Sequence, residues 1–141
     1  MRHIPAMLAA AGLASTIGLA ARADVMPMKT PSGNIACSVG IGDATDITCS
    51  IRTREGAPPL PQPADCPGSW GHVFELLERG TVRMTCGGPW PDNTAPSVAV
   101  AEYGQSADFG GITCTSRRTG FTCRNLDAHG FMLSRRSQLV F

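Results

Sequence analysis

Six cysteines, Cys37, Cys49, Cys66, Cys86, Cys114 and Cys123, constrain this chain more than any other feature. An even number of cysteines in an exported chain reads as a disulfide framework; in a reducing compartment they would instead be metal ligands or catalytic thiols. The first residues decide between these. Arg2 and His3 give a short positive start, an apolar stretch runs from Ala6 to Ala21, and Ala21-Arg22-Ala23 fits a small-x-small cleavage site. Residues 1–23 are therefore expected to be a secretory signal peptide, and the mature chain from Asp24 is expected to be periplasmic or secreted. At about 15 residues the apolar stretch falls short of the roughly 20 that a spanning helix needs, so no membrane span is expected after cleavage. The first cysteine is Cys37, which leaves none at the cleavage site for a lipid anchor.

Residues 24–141 are long enough for one domain. Ile, Leu, Val and Phe supply only 23 of these residues, a thin core for a chain of this size. Three bridges offset that, each contributing about 2–4 kcal/mol, chiefly by restricting the unfolded chain. A zinc site is disfavoured, because the closest cysteines, Cys114 and Cys123, are much further apart than the ligand pairs of a zinc site.

The pattern along the chain is that of short strands. Asp24 to Pro31 has no period and reads as a tail or an edge segment. Asn34–Val39 and Asp46–Arg52 both alternate, which puts Ile35, Cys37 and Val39 on one face and Ile47, Cys49 and Ile51 on another. A hairpin then sets Cys37 opposite Cys49. Arg54 to Gly68 carries five prolines and is excluded from a helix interior or a central strand, so it reads as an extended crossover pinned at Cys66. Residues 72–78 fit either two helical turns or a strand. A hairpin turning near Glu78-Arg79-Gly80 is preferred and would bring Cys66 to Cys86. Ser97–Tyr103 reads as a strand and Gly104–Gly111 as a loop. Cys114 and Cys123 flank a turn at Arg117-Arg118, and a further strand follows His129-Gly130.

Gly33-Asn-Ile-Ala-Cys37-Ser and Gly110-Gly-Ile-Thr-Cys114-Thr echo each other, as do Ile47-Thr-Cys49 and Phe121-Thr-Cys123. Six cysteines permit fifteen connectivities. Two similar stapled hairpins favour the nearest-neighbour set among them: Cys37–Cys49, Cys66–Cys86 and Cys114–Cys123. The expected fold is all-β, a small antiparallel sandwich or partly open barrel stapled by these bridges.

Charge is uneven. Residues 24–141 carry ten basic and eleven acidic side chains, a net −1 that disfavours nucleic acid as a partner. From Thr113 onward, however, five arginines face a single acid. Arg117, Arg118, Arg124, Arg135 and Arg136 form a basic cluster fit for an anionic partner such as a polyanionic glycan, a phospholipid head group or an acidic protein. Equally, it suits a solvated face paired with the acidic half of the chain. The candidate binding residues are Tyr103, Gln105, Arg124, His129 and Arg135. Catalytic signatures are weak: there is no G-x-S-x-G elbow, the acids are scattered through loops, and no cofactor or metal is indicated. His129 is the one candidate acid or base, with Asp127 or an arginine assisting; a backbone hydrogen bond that caps a turn explains it as well.

The ordered segments Thr30-Pro-Ser-Gly-Asn-Ile-Ala-Cys37, Ile47-Thr-Cys49-Ser-Ile-Arg52, Pro63-Ala-Asp-Cys66, Tyr103-Gly-Gln-Ser106 and Gly120-Phe-Thr-Cys123-Arg-Asn, followed by His129-Gly-Phe-Met-Leu-Ser-Arg135, resemble an uncharacterised family of small exported bacterial proteins, a domain of unknown function. The resemblance implies a shared small all-β fold with paired cysteines, and no activity. The expected function is a non-catalytic cell-envelope module that binds an envelope protein or glycan. The alternatives are a small hydrolase-type enzyme using His129 and an inhibitor of a cell-wall hydrolase.

Overall fold

The computed structural model describes residues 24–88, 90–91 and 93–141. The expected signal peptide, residues 1–23, lies outside them. The described residues form a sandwich of two sheets. The first sheet runs, in spatial order, β5 (Arg83–Thr85), β4 (Val73–Leu77), β3 (Thr45–Ile51), β2 (Ile35–Ile41), β1 (Asp24–Lys29) and β6 (Ala99–Val100). The second runs β11 (Gln138–Val140), β10 (Gly130–Leu133), β9 (Gly120–Arg124), β8 (Thr113–Arg117) and β7 (Ser106–Asp108). All pairings are antiparallel except β1 with β6. The two sheets do not close into a barrel, which settles the choice in favour of the sandwich.

The two stapled hairpins are the centres of the two sheets. Alternation along β2 and β3 turns Ile35, Cys37, Val39, Ile47, Cys49 and Ile51 inward, and all six are buried. Cys37 pairs with Cys49 in register, and Cys114 with Cys123. Both pairs bring their Cα atoms to 4.1 Å, the close approach of a non-hydrogen-bonded antiparallel position. The third bridge joins Cys66 to Cys86 at a Cα separation of 5.6 Å and fastens the proline-rich crossover to the strand pair β4–β5. The expected connectivity is thus the one formed, and no cysteine is left free.

The core lies between the hairpins. Phe74, Leu76, Ile112, Phe121, Phe131 and Leu133 join the four hairpin cysteines in one buried cluster. Residues 72–78 resolve as strand β4, with Phe74 and Leu76 turned into that cluster and Glu75 and Leu77 turned out. A helix would have placed those four around a cylinder, two of them with no core to meet.

Four elements differ from the sequence reading. Asp24–Lys29 is a paired strand inside the first sheet: it is bonded to β2 along its length, and β6 covers Met28 and Lys29. Pro27 is tolerated there because it falls outside that short outer ladder. Ser97–Tyr103 shortens to the two residues of β6. Inside the expected Gly104–Gly111 loop, Ser106–Asp108 forms the edge strand β7. Its three residues are all exposed, so no alternation marks it; pairing with Thr113–Thr115 alone makes it a strand. The closing run also divides into two strands, β10 and β11. They are joined by a turn in which the Ser137 N–H donates to Ser134 Oγ and the Ser134 N–H to the Ser137 carbonyl.

Candidate functional site

Sheet register fixes which candidate residues share an end of the sandwich. On β9, Arg124 lies opposite Thr113 and Gly130, whereas Gly120 lies opposite Arg117. Arg124 and His129 therefore stand at one end of the second sheet. The Arg117–Gly120 turn and Ser134-Arg135 stand at the other.

The His129 end is a structural clamp. Buried Asn125 donates from Nδ2 to the carbonyls of Leu77 and Gly80, at 2.9 and 2.7 Å. Its Oδ1 accepts from the N–H groups of Asp127 and His129, both at 3.0 Å. The Asp127 carboxylate accepts from the Gly80 N–H and from Arg79, each at 2.8 Å. The Gly80 N–H, with Arg79 behind it, holds the Asp127 carboxyl below the usual carboxylate range. His129 Nδ1 sits 3.3 Å from the Phe141 carbonyl oxygen, which sets Nδ1 as the donor. Arg124 stacks over the Phe141 ring at 5.0 Å from its centroid. This loop ties the β4–β5 turn of one sheet to the β9–β10 connection of the other. Asp127 and His129 have structural partners in it, and neither lines either of the two concavities described next.

The opposite end holds a concavity of about 540 Å³. Its walls are the β1–β2 turn, the Arg52-Thr53 end of β3, Tyr103, the Arg117–Gly120 turn and Ser134-Arg135. Four arginines, Arg52, Arg117, Arg118 and Arg135, line it, and no carboxylate does. Asn34 fixes the wall that the first sheet contributes, chiefly through its side chain. Asn34 Nδ2 donates to the Thr53 carbonyl and Asn34 Oδ1 accepts from the Thr53 N–H, while the Arg52 N–H donates to the Asn34 carbonyl. Gly33 makes the tight turn beneath with φ of 73°, a left-handed conformation that glycine adopts freely. Arg118 lies over the Tyr103 ring at 4.9 Å from its centroid, which holds the guanidinium in place. Arg135 reaches Glu55 at 3.5 Å, an exposed and therefore weak pair. Among the described residues Arg52 and Arg117 make no ion pair.

Beside this basin is a second concavity of about 610 Å³, open along the edges of the two sheets. Met26 and Met28 of β1, Ala99 and Val100 of β6, and Ala107, Phe109 and Phe121 of the facing sheet form its walls, and no charged side chain lines it. Its serines are satisfied: Ser116 Oγ donates to the Ala101 carbonyl and Ser106 Oγ bonds Thr115 Oγ1, both at 2.7 Å.

The five candidate residues are thus distributed over three places. Tyr103 and Arg135 line the arginine basin, Gln105 lines the apolar cleft, and Arg124 and His129 belong to the clamped end. The basin also draws Arg117 and Arg118 from the basic cluster. Arg52 comes from the other sheet, and its only mark in the sequence is its place at the end of an alternating run. Among the described residues no group of His, Cys, Asp and Glu side chains is arranged to hold a metal ion, and no helix is long and apolar enough to cross a membrane.

Residues 7–141 match DUF6636, a family of unknown function, and the chain belongs to that family. No curated protein and no solved structure matches it.

Proposed function

We propose that this protein is an exported, non-catalytic binding module of the cell envelope, periplasmic or secreted, whose basin takes an anionic partner. The observation that carries this reading is the meeting of Arg52, Arg117, Arg118 and Arg135 around one concavity that no carboxylate lines. Among the described residues Arg52, Arg117 and Arg118 carry no carboxylate partner and Arg135 has only its exposed pair with Glu55, so the like charges raise one another's energy and a bound anion relieves that cost. Guanidinium forks match phosphate, sulfate and carboxylate oxygens in pairs, and the turn beside Arg52 is already held by the Asn34 hydrogen bonds. The three disulfides fit an oxidising compartment. Residues 1–23 supply the export signal in this reading.

Calorimetry with tripolyphosphate as the probe tests it. The oxidised protein binds, and Arg52→Gln or Arg117→Gln lowers the affinity roughly tenfold, the expected loss of a charge-assisted hydrogen bond. Arg124→Gln, at the other end, leaves it unchanged. Equal binding by all four proteins would remove the basin as the site.

A further inference from the structure

We propose that the arginine basin and the apolar cleft are the two halves of one site, and that its ligand is a single-chain amphiphile with an anionic head group. This rests on the reading of the basin as an anion site and adds the tail.

Neighbouring residues on three strands line first one concavity and then the other. Met28 faces the cleft, and Thr30, just past the end of β1, faces the basin. Ser116 and Arg117 divide in the same way on β8, as do Phe121 and Gly120 on β9. The chain from Ala101 in the cleft to Tyr103 in the basin crosses the boundary a fourth time. The two spaces therefore lie on either side of one shared wall, the 101–105 segment, where the Ala101 N–H donates to the Lys29 carbonyl and the Gly104 N–H to the Ser116 carbonyl, and a ligand joins them by passing over that segment. One is uncharged and apolar, the other bears only cationic charge. Each falls within the roughly 300–1,000 Å³ of ligand pockets.

The apolar half is open to solvent. Met26 and Val100 at its mouth are 36% and 39% exposed, although both sit on strands. With its serines satisfied, the cleft offers a ligand the Gln105 amide and otherwise apolar side chains, which suits a hydrocarbon chain better than a glycan. The two methionines adapt to chains of different length. At the boundary the head group meets guanidinium groups, which stay charged at any physiological pH and recognise phosphate, sulfate or carboxylate alike. The cleft opens between two sheets, a place for one chain drawn out of a lipid phase rather than for adsorption on a bilayer.

The test is a series of n-alkyl phosphates from ethyl to dodecyl, each kept below its micellar concentration. Alkyltrimethylammonium of matched length and phosphatidylglycerol vesicles are the other arms. Affinity is expected to rise about three- to fourfold per methylene until the cleft is full. The ammonium series does not bind. Arg117→Gln weakens every phosphate by a similar factor. Ala107→Trp, on an exposed position of the edge strand, fills the cleft and flattens the chain-length dependence while ethyl phosphate binds as before. Ala99→Trp on β6 does the same if the first variant melts early. Affinity independent of chain length, with the arginine effect intact, would overturn the tail and leave the anion site standing. Binding of vesicles without binding of monomers, or equal binding of the cationic series, would overturn the proposal too. Loss of the arginine effect at every length would remove the anion reading itself.

Discussion

Phe74 and Phe131 meet across the sandwich with ring centroids 5.9 Å apart. Each also stands one strand beyond a disulfide in its own sheet: Phe74 lies opposite Cys49, and Phe131 opposite Cys123. The two sheets thus present the same row to each other, a bridged cysteine pair followed by a phenylalanine. The echo between the two hairpin sequences is the visible part of that row. The small apolar content is concentrated here, where burial is complete for both rings.

Phe74→Ala and Phe131→Ala are each expected to cost about 3–5 kcal/mol, the usual loss for a buried phenylalanine. The double variant should lose less than the sum, by about 0.5–1.5 kcal/mol, because each single change already removes the ring contact. Urea denaturation of the four proteins measures this. Strict additivity would mean that the rings share a core without sharing an interaction.

The three bridges should open in a fixed order. Cys86 is exposed, whereas Cys49 and Cys123 are fully buried. A mild thiol reductant reaches Cys66–Cys86 in the folded state and reaches the two hairpin bridges only after unfolding. Alkylation and mass mapping during a reductant titration should show the Cys66 and Cys86 adducts first, with the sandwich still folded. Removing either hairpin bridge by paired Cys→Ala changes should cost about 2–5 kcal/mol. Simultaneous labelling of all six cysteines at low reductant would contradict this order.

The hairpins are legible in the sequence because their strands have one wet and one dry face, so Ile35, Cys37 and Val39 announce themselves by period. β7 is not legible, because Ser106, Ala107 and Asp108 bury nothing and owe their strand to a neighbour. The candidate site separates in the same way. Arg117, Arg118 and Arg135 are a visible charge cluster, but Arg52 joins them only when the two sheets pack face to face and bring their ends together. Arg124 stands four residues from Gly120 along an extended strand, about 13 Å away, so closeness in sequence carries it out of the basin. His129 reads as a possible acid or base because sequence does not display hydrogen bonds; the carbonyl of Phe141 and the side chain of Asn125 account for its placement.

Asn125 should be the costliest polar substitution. Asn125→Ala removes four hydrogen bonds at a buried site and leaves the Leu77 and Gly80 carbonyls unpaired. A loss of about 3 kcal/mol is expected. Anion binding, measured on the fraction that remains folded, should be unchanged. A fall in binding beyond the loss of folded protein would couple the two ends of the sandwich.

Acid should weaken the fold through two carboxylates, Asp127 in a loop and Asp108 at the end of β7. The Gly80 N–H and Arg79 lower the pKa of Asp127; the Gly110 N–H, the Thr113 hydroxyl and the Gly111 N–H lower that of Asp108. A carboxyl whose folded pKa lies below its unfolded value, about 3.9, contributes stability above that value and loses it as pH falls through the folded pKa. Stability should therefore decline below about pH 4. Asp108→Asn with Asp127→Asn should flatten that limb of the profile. Thermal melts across pH 2–6, in steps of about half a unit, read it directly. An unchanged acid limb in the double variant would place the acid sensitivity elsewhere.

Anion binding by the basin should be flat in pH and steep in salt. All four of its charges are guanidinium groups, which ionise far above the physiological range, so nothing on the protein side of the contact titrates between about pH 5 and 9. A sulfate ester, whose own charge is constant over that range, is the clean probe. Its affinity should stay within about twofold across those pH values and fall as ionic strength rises, because the arginines are exposed and screened. Arg52→Gln and Arg117→Gln should lower the affinity at every pH and make the salt dependence shallower. A loss of binding centred near pH 6–7 would point to a histidine instead. His129 is at the far end of the second sheet, and His72, which donates from Nδ1 to the Ile51 carbonyl at 2.7 Å, does not line the basin, so such a result would shift the anion contact away from the four arginines.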